Sequence, residues 1–506
     1  MKFVEPGLEK RMARLPKTHK GGAGILVLLS VSLGTLMSAL DASVVNTVLP
    51  VIRADYHVPV EVIQWVSTTY LLVMGSLLLT FGRLGDLRGQ KRVYLAGLAV
   101  FVPASVWCGI APSVEMLIAA RVLQGIGAAI VVSNAPAILI GSVPPARMGQ
   151  FLGLQAAITS IGLALGPSLG GWLTDQWGWR TIFFINVPIG LAAFAIGIRH
   201  IPGVKNLKPR EETFDRIGAL LFLGAFLSLQ VALSRGNEWG WLSAPTLGVF
   251  AGSAALAFLF LRQETIAKSP MLHLPLFRIR IFTFSVGSAL ANYICMASVL
   301  FLVPFYLIQG RGFSATRAGI LMTAQFLSMV VVAPISGRIA DRVGSRWPAT
   351  TGMAVLAVGL FLLSAMNGDT SLHFVVLGLV VTGIGVSIFA TPNNSAMLGA
   401  APEGRKGIAS GILATSRLLG MATGFSFAGA VLAGIAGGRS GQGIPPQLVF
   451  KAIHTGFLAA GSMALAGAAL TAARSEEKAT RQCSGKTIPD ETRADGKDEI
   501  AGQATT

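Results

Sequence analysis

Charge is what this chain of 506 residues has least of: Asp, Glu, Lys and Arg together make 12% of it, against roughly 25% in a soluble globular domain. Cysteine is down to three scattered residues, Cys108, Cys295 and Cys483, which suggests neither a disulfide framework nor a metal site. Histidines are few and unclustered, no HExxH occurs, and no Walker A loop follows a strand. An enzyme therefore has little support, and any energy source is expected to be an ion gradient and not a nucleotide or bound cofactor. No large folded extramembrane segment is visible, which argues against a scaffold or sensor.

What fills the chain is apolar. Hydrophobic residues reach 53%, glycine numbers 60, and the mean hydropathy is +0.66. Glycine is more frequent in membrane helices than in soluble ones, so the chain reads as a multi-pass membrane protein whose first partner is the lipid bilayer. A helix needs about 20 mainly apolar residues to cross the hydrocarbon. Fourteen such runs start near residues 24, 62, 92, 114, 149, 181, 214, 244, 281, 317, 349, 372, 406 and 452.

The net charge of +17 invites a nucleic-acid reading until its location is considered. Lys and Arg gather in alternate loops: Arg83, Arg88, Lys91 and Arg92; Lys205, Lys208 and Arg210; Arg262, Lys268, Arg278 and Arg280; Arg338, Arg342 and Arg346; Arg405 and Lys406. This pattern places those loops and both termini in the cytoplasm of a cell membrane, and no nucleic acid is expected. The first span follows a basic start without an obvious cleavage site and reads as a retained helix. The tail, residues 474–506, is polar and lacks an apolar period, so it is expected to be disordered.

The chain repeats itself. GRLGDLRGQKR begins at Gly82 and GRIADRVGSRW at Gly337, an offset of 255 with Gly, Arg, Asp and Gly recurring. Gly153, Gly162 and Gly166 of the fifth span match Gly411, Gly420 and Gly424 of the thirteenth, an offset of 258. The repeat unit is thus six helices. The expected organisation is an N-terminal segment (1–23), a six-helix half (24–200), two inserted helices (201–265), a second half (266–473) and the tail (474–506).

Parallel six-helix halves with a site between them are the architecture of major facilitator transporters, and several motifs resemble that family's. The loop from Gly82 to Lys91 is similar to its hallmark loop between the second and third helices; Gly82, Asp86, Arg88 and Gly89 belong to it, and Gly337, Asp341 and Arg342 to its copy in the second half. Arg121-Val122-Leu123-Gln124-Gly125-Ile126-Gly127 resembles its RxxQGxG element. Gly162 followed by Gly166-Pro167-Ser168-Leu169-Gly170-Gly171 resembles the GxxxGPxxGG antiporter motif. Leu40 to Pro50 is similar to the LDxTIVNVALP element of the fourteen-helix drug/proton antiporters, with Ser43 in place of the usual Thr, and WGWRTIFFINVPIG (Trp177 to Gly190) resembles the same branch. Leu87 and Gln90 stand where the hallmark loop usually carries basic residues. The resemblance implies an all-α integral membrane protein with the major facilitator fold: two six-helix repeats plus two inserted helices, working as a monomer. It implies that the repeated loops latch the inner face and that the glycines of the fifth span let helices approach closely, as small-xxx-small packing does, while Pro167 lets the helix bend.

One acid lies deep in a span, Asp41 in LMSALDASVVNTVLPV. A charge there costs roughly 3 kcal/mol on insertion scales, which makes it a functional-site hypothesis by default. At 1.5 Å per residue, Asp41 sits about 13 Å inward from Pro50, Arg121 about 10 Å deep, and Arg417 about 18 Å from the cytoplasmic side, all in the outer half of the membrane. Burial raises a carboxyl's affinity for a proton and a nearby arginine lowers it, so a small movement can switch such a site. Two readings stand: Asp41 exchanges protons with Arg121 and Arg417 as tuning charges, or it forms a permanent ion pair with one of them that fixes packing. Arg121 can also bond carbonyls of the first helix, and Arg417 an anionic group of the substrate. Asn46, Tyr70, Gln124, Gln155, Tyr293, Met296, Gln325 and Phe326 are candidates for the cavity wall, since ligand sites are mostly apolar with a few placed polar groups. The expected function is proton-coupled export of hydrophobic or amphipathic small molecules by alternating access, with transport of one defined metabolite as the competing reading.

Overall fold

The computed structural model describes residues 22–143, 147–202, 215–267, 272, 274–402, 406–436 and 444–474. The tail from residue 475 on and the basic residues Lys205, Lys208, Arg210, Lys268 and Arg405 lie outside the described residues; Arg474, expected to open the disordered tail, is buried against the bundle instead. Among the described residues fourteen helices are long and apolar enough to cross a membrane. We number them α1 Gly22–Tyr56, α2 Val60–Arg88, α3 Gln90–Ile110, α4 Val114–Ser142, α5 Met148–Trp177, α6 Thr181–His200, α7 Arg216–Trp239, α8 Ala244–Ile266, α9 Arg280–Pro304, α10 Ala315–Val343, α11 Arg346–Ser364, α12 Leu372–Ala400, α13 Lys406–Ala436 and α14 Pro446–Ala472. The face bearing the basic loops is called inner below, the opposite face outer. Thirteen starts fall within a few residues of expectation. The last helix begins at 446 and not near 452, because Pro445 and Pro446 open it with backbone dihedrals ready for a first turn.

Backbone hydrogen bonds must close within each segment where lipid replaces water, which is why the spans are helices. Serine caps do this at outer helix starts: Ser113, Ser314 and Ser371 each accept from a backbone N–H three residues on. On the inner face the turns after α2 and α10 both end at a glycine of positive φ, Gly89 (95°) and Gly344 (86°), a conformation that side chains resist.

The sequence repeat is physical. Lys91 Nζ donates to the carbonyl of Ile198 at the end of α6, and Arg346, 255 residues later, donates through Nε to the carbonyl of Ala472 at the end of α14. In each half a base at the start of the third helix thus meets the negative end of the sixth. Helices α1–α6 pack together, α9–α14 do likewise, and α7 and α8 pair with each other. The halves meet along two seams, α5 with α10 and α2 with α13.

Candidate functional site

The site grows from α1. Asp41, 2% exposed, accepts at Oδ1 from Gln124 Nε2 (2.9 Å) and Asn186 Nδ2 (3.0 Å), and at Oδ2 from Arg121 Nη1. Arg121 and Gln124 stand one turn apart on α4 and so share a face. Arg121 is itself buried. It donates Nε to the carbonyl of Val66 on α2 (2.9 Å) and Nη1 to Gln124 Oε1 (2.6 Å), and its guanidinium lies 4.1 Å from the ring centroid of Tyr70. Gln124 also donates to Ser105 Oγ on α3 (2.8 Å), and the thiol of Cys108 points at Gln124 Oε1 (3.5 Å). Five helices of one half converge on one carboxylate. The ion pair answers the desolvation of each charge, and removing either member would strand the other at a penalty of roughly 3–5 kcal/mol.

The helix that carries Asp41 is packed against α5 through the glycine motif. A Cβ built on Gly162 would meet the carbonyl of Leu36 at 3.1 Å, one on Gly166 would meet Ser43 Oγ at 2.5 Å, and one on Gly170 the carbonyl of Val44 at 3.2 Å. These glycines therefore bracket Asp41 along α1 and let the backbones touch. Pro167 lacks an N–H, so the carbonyl of Leu163 four residues earlier has no helical donor. Ser43 Oγ supplies one at 2.9 Å, so serine retains the hydroxyl that threonine provides in the resembling motif. The other side of the motif faces the second half. A Cβ on Gly171 would lie 2.1 Å from the carbonyl of Ala315, and one on Gly319 of α10 would lie 2.0 Å from that of Pro167. Just beyond, Asp175 accepts from the backbone N–H groups of Ala315 (3.2 Å) and Thr316 (2.8 Å), a carboxylate at a helix N-terminus, where the dipole favours it. Helix α5 thus links the Asp41 helix directly to the outer seam.

Arg417 is not part of this network. It is exposed on α13, on the stripe of Gly420 and Gly424, which pack on Tyr293 and Ile294 of α9. Of the two arginines offered as partners for Asp41, the structure selects Arg121. Three residues expected on the cavity wall belong instead to the charge network or its support: Gln124, Tyr70, and Asn46, which donates to the carbonyl of Ala42 and accepts from Ser67. Tyr293, Met296, Gln325 and Phe326 are buried on α9 and α10, and both polar atoms of the Gln325 amide have no hydrogen-bond partner among the described residues. Gln155 is buried on α5.

Among the latch residues, Gly82 packs near Ser133, and Gly85 lies so close to the Asn134 amide that no side chain fits. The side chain of Asp86 lies outside the described residues. Arg88, Asp341 and Arg342 are exposed, and Asp341 has no ion-pair partner among the described residues.

Two contributions were missed. Asn186 sits inside WGWRTIFFINVPIG, a neutral amide in an apolar run to which the motif alone assigns no role. The same stretch supplies Trp179 and Arg180, which donate to Asp55 Oδ2 (3.0 and 3.1 Å) and tie α6 to the outer end of α1. Ser105 carried no signal beyond being a hydroxyl in a span.

The family model of the Major Facilitator Superfamily matches residues 31–290 and 285–488. This chain belongs to the Major Facilitator Superfamily. Curated relatives of this major facilitator protein include the multidrug resistance protein Stp of Mycobacterium tuberculosis, 34% identical over 81% of this chain and 76% of that one. The riboflavin transporter RibZ of Clostridioides difficile is also 34% identical, over 79% of this chain and 87% of its own. Among solved structures, the peptide transporter POT in complex with sulfate superposes with a TM-score of 0.65 at 14% identity, covering 91% of this chain and 97% of that one, a likeness of fold alone.

Proposed function

We propose that the protein exports hydrophobic or amphipathic small molecules across the cell membrane in exchange for protons, with Asp41 as the exchange site. Similarity to a multidrug resistance protein supports the substrate class. The observation that carries the coupling is the buried carboxylate held by three donors, on a helix backed by the glycine motif that continues into the outer seam. An ionised carboxylate only accepts hydrogen bonds, whereas a protonated one must also donate. A proton arriving at Asp41 therefore forces Arg121, Gln124 or Asn186 to withdraw. The contact of α1 with α4 and α6 weakens, and α5 moves with α1 against α10. Asp41 takes its proton when the outer side is open and gives it up inward as substrate enters, so the proton gradient drives export. Arg417, exposed near Tyr293, serves as a substrate-facing cation.

The reading includes both termini in the cytoplasm, a monomer, no resident cofactor and no nucleic-acid partner. A single-metabolite transporter is the second reading, favoured by the relative that carries riboflavin; competition among unrelated drugs and flavins for one uptake signal separates the two. The coupling itself is tested by adding a transported drug to purified protein in weak buffer with a pH indicator. Wild type releases protons on binding and Asp41→Asn binds without release. Equal release from both would remove Asp41 from the exchange.

A further inference from the structure

The inserted pair α7 and α8 has no counterpart in the six-helix repeat, yet α7 is bonded to both halves. Gln230, Ser234 and Asn237 recur at i, i+4 and i+7 and form one stripe. Ser234 faces the first half: it is 1% exposed and accepts from Gln64 Nε2 (2.6 Å) and Trp65 Nε1 (2.9 Å) of α2. Gln230 and Asn237 face the second. Gln230 Nε2 donates to Thr423 Oγ1 (3.2 Å), and Asn237 Nδ2 donates to the carbonyl of Ala430, both on α13. Beneath this stripe α2 and α13 touch directly, since a Cβ on Gly429 would fall 1.7 Å from Gln64 Oε1.

We infer that α7 is a clasp on the outer gate, and that Ser234, Gln230 and Asn237 are positioning residues that hold α2 and α13 together while the outer face is closed. The inference rests on the alternating-access reading, not on proton coupling. When α2 and α13 part, α7 cannot keep both sets of bonds, so opening carries the loss of one set. The loss is moderate because water is at hand. A cavity of about 740 Å³ opens at this junction, lined by Glu61 and Trp65 of α2, Arg235 and Asn237 of α7, and Gly434 of α13, and groups released there are hydrated at once. The clasp therefore biases the gate towards closure without locking it.

The test measures the distance between spin labels at Val62→Cys and Ala433→Cys on the full-length protein in lipid nanodiscs, with Cys483→Ser and the buried Cys108 and Cys295 retained. Ser234→Ala removes the acceptor that Gln64 and Trp65 share and is expected to raise the outer-open population about fivefold to tenfold, with Asn237→Ala about threefold. Ser234→Thr, which keeps the hydroxyl, restores wild-type distances. Ser253→Ala removes a bond between α8 and α7, to the carbonyl of Ala225, and leaves the populations unchanged. If Ser234→Ala leaves the distances alone while substrate or pH still moves them, the clasp is overturned and alternating access stands. If neither substrate nor pH moves them, both fall. If Ser253→Ala opens the gate as much as Ser234→Ala, α7 acts as packing and not as a clasp.

Discussion

The two halves repeat a fold but not a charge. By the 255-residue offset of the inner loops, Met296 of α9 stands where Asp41 stands on α1, and it is buried among apolar neighbours. In the first half the buried acid meets Arg121, Gln124 and Asn186 on two other helices. In the second, the buried base is Arg474 just beyond α14, which donates to Ser288 (3.2 Å) and Asn393, has no carboxylate partner among the described residues, and is held down to about 10 by burial. Among the described residues a duplicated scaffold carries its buried ion pair in one half only. On the proposed mechanism the first half senses the proton, and the second offers Arg417 and the apolar surfaces of α9 and α10 to the cargo.

Exchanging the treatment of the two arginines breaks this comparison most sharply. Arg121→Ala leaves Asp41 unpaired in the core and is expected to destabilise the protein by roughly 3–5 kcal/mol, seen as a large fall in thermal unfolding temperature and loss of transport. Arg417→Ala, exposed, is expected to unfold like wild type while altering which substrates move; equal destabilisation by both would erase the difference between the halves. Next in size is the seam. Gly171→Val drives a side chain into the carbonyl of Ala315, so the outer face cannot close and transport falls by more than about tenfold while drug binding from the outer side persists.

Smaller effects sharpen the account of the carboxylate. Asn186→Leu removes one donor to the ionised form at a cost of about 1–3 kcal/mol. The expected readout is a fall in thermal unfolding temperature smaller than that of Arg121→Ala; an equal fall would make Asn186 as important as the arginine in holding the carboxylate. Ser43→Ala leaves the carbonyl of Leu163 without a donor and is expected to lower stability by about 1–2 kcal/mol; Ser43→Thr is close to neutral, as unfolding in detergent will register.

The helices were legible because lipid demands long apolar runs, and the repeat because glycines and charges recur at a fixed offset. Depth put both Arg121 and Arg417 level with Asp41 and left the choice between them open. What depth could not give was rotation: lipid is as apolar as a protein core, so these helices lack the polar face that orients a soluble one. Arg417 lies at similar expected depth and points elsewhere. Tyr70, Gln124 and Asn46 were read as cavity wall for the same reason, since a polar atom in a span says that it needs a partner and not which one. Asn186 was hidden because a neutral amide in an apolar stretch weighs little until its neighbour is seen to be a carboxylate.

The most direct test of Asp41 as the coupling site compares two modes of transport in proteoliposomes, exchange of labelled for unlabelled drug without a gradient and accumulation against one driven by an imposed pH difference. Asp41→Asn, whose amide oxygen still accepts from Arg121, is expected to retain exchange in the fraction that stays folded and to accumulate no drug. Accumulation by the variant at the wild-type level would contradict the account and move the proton to another group.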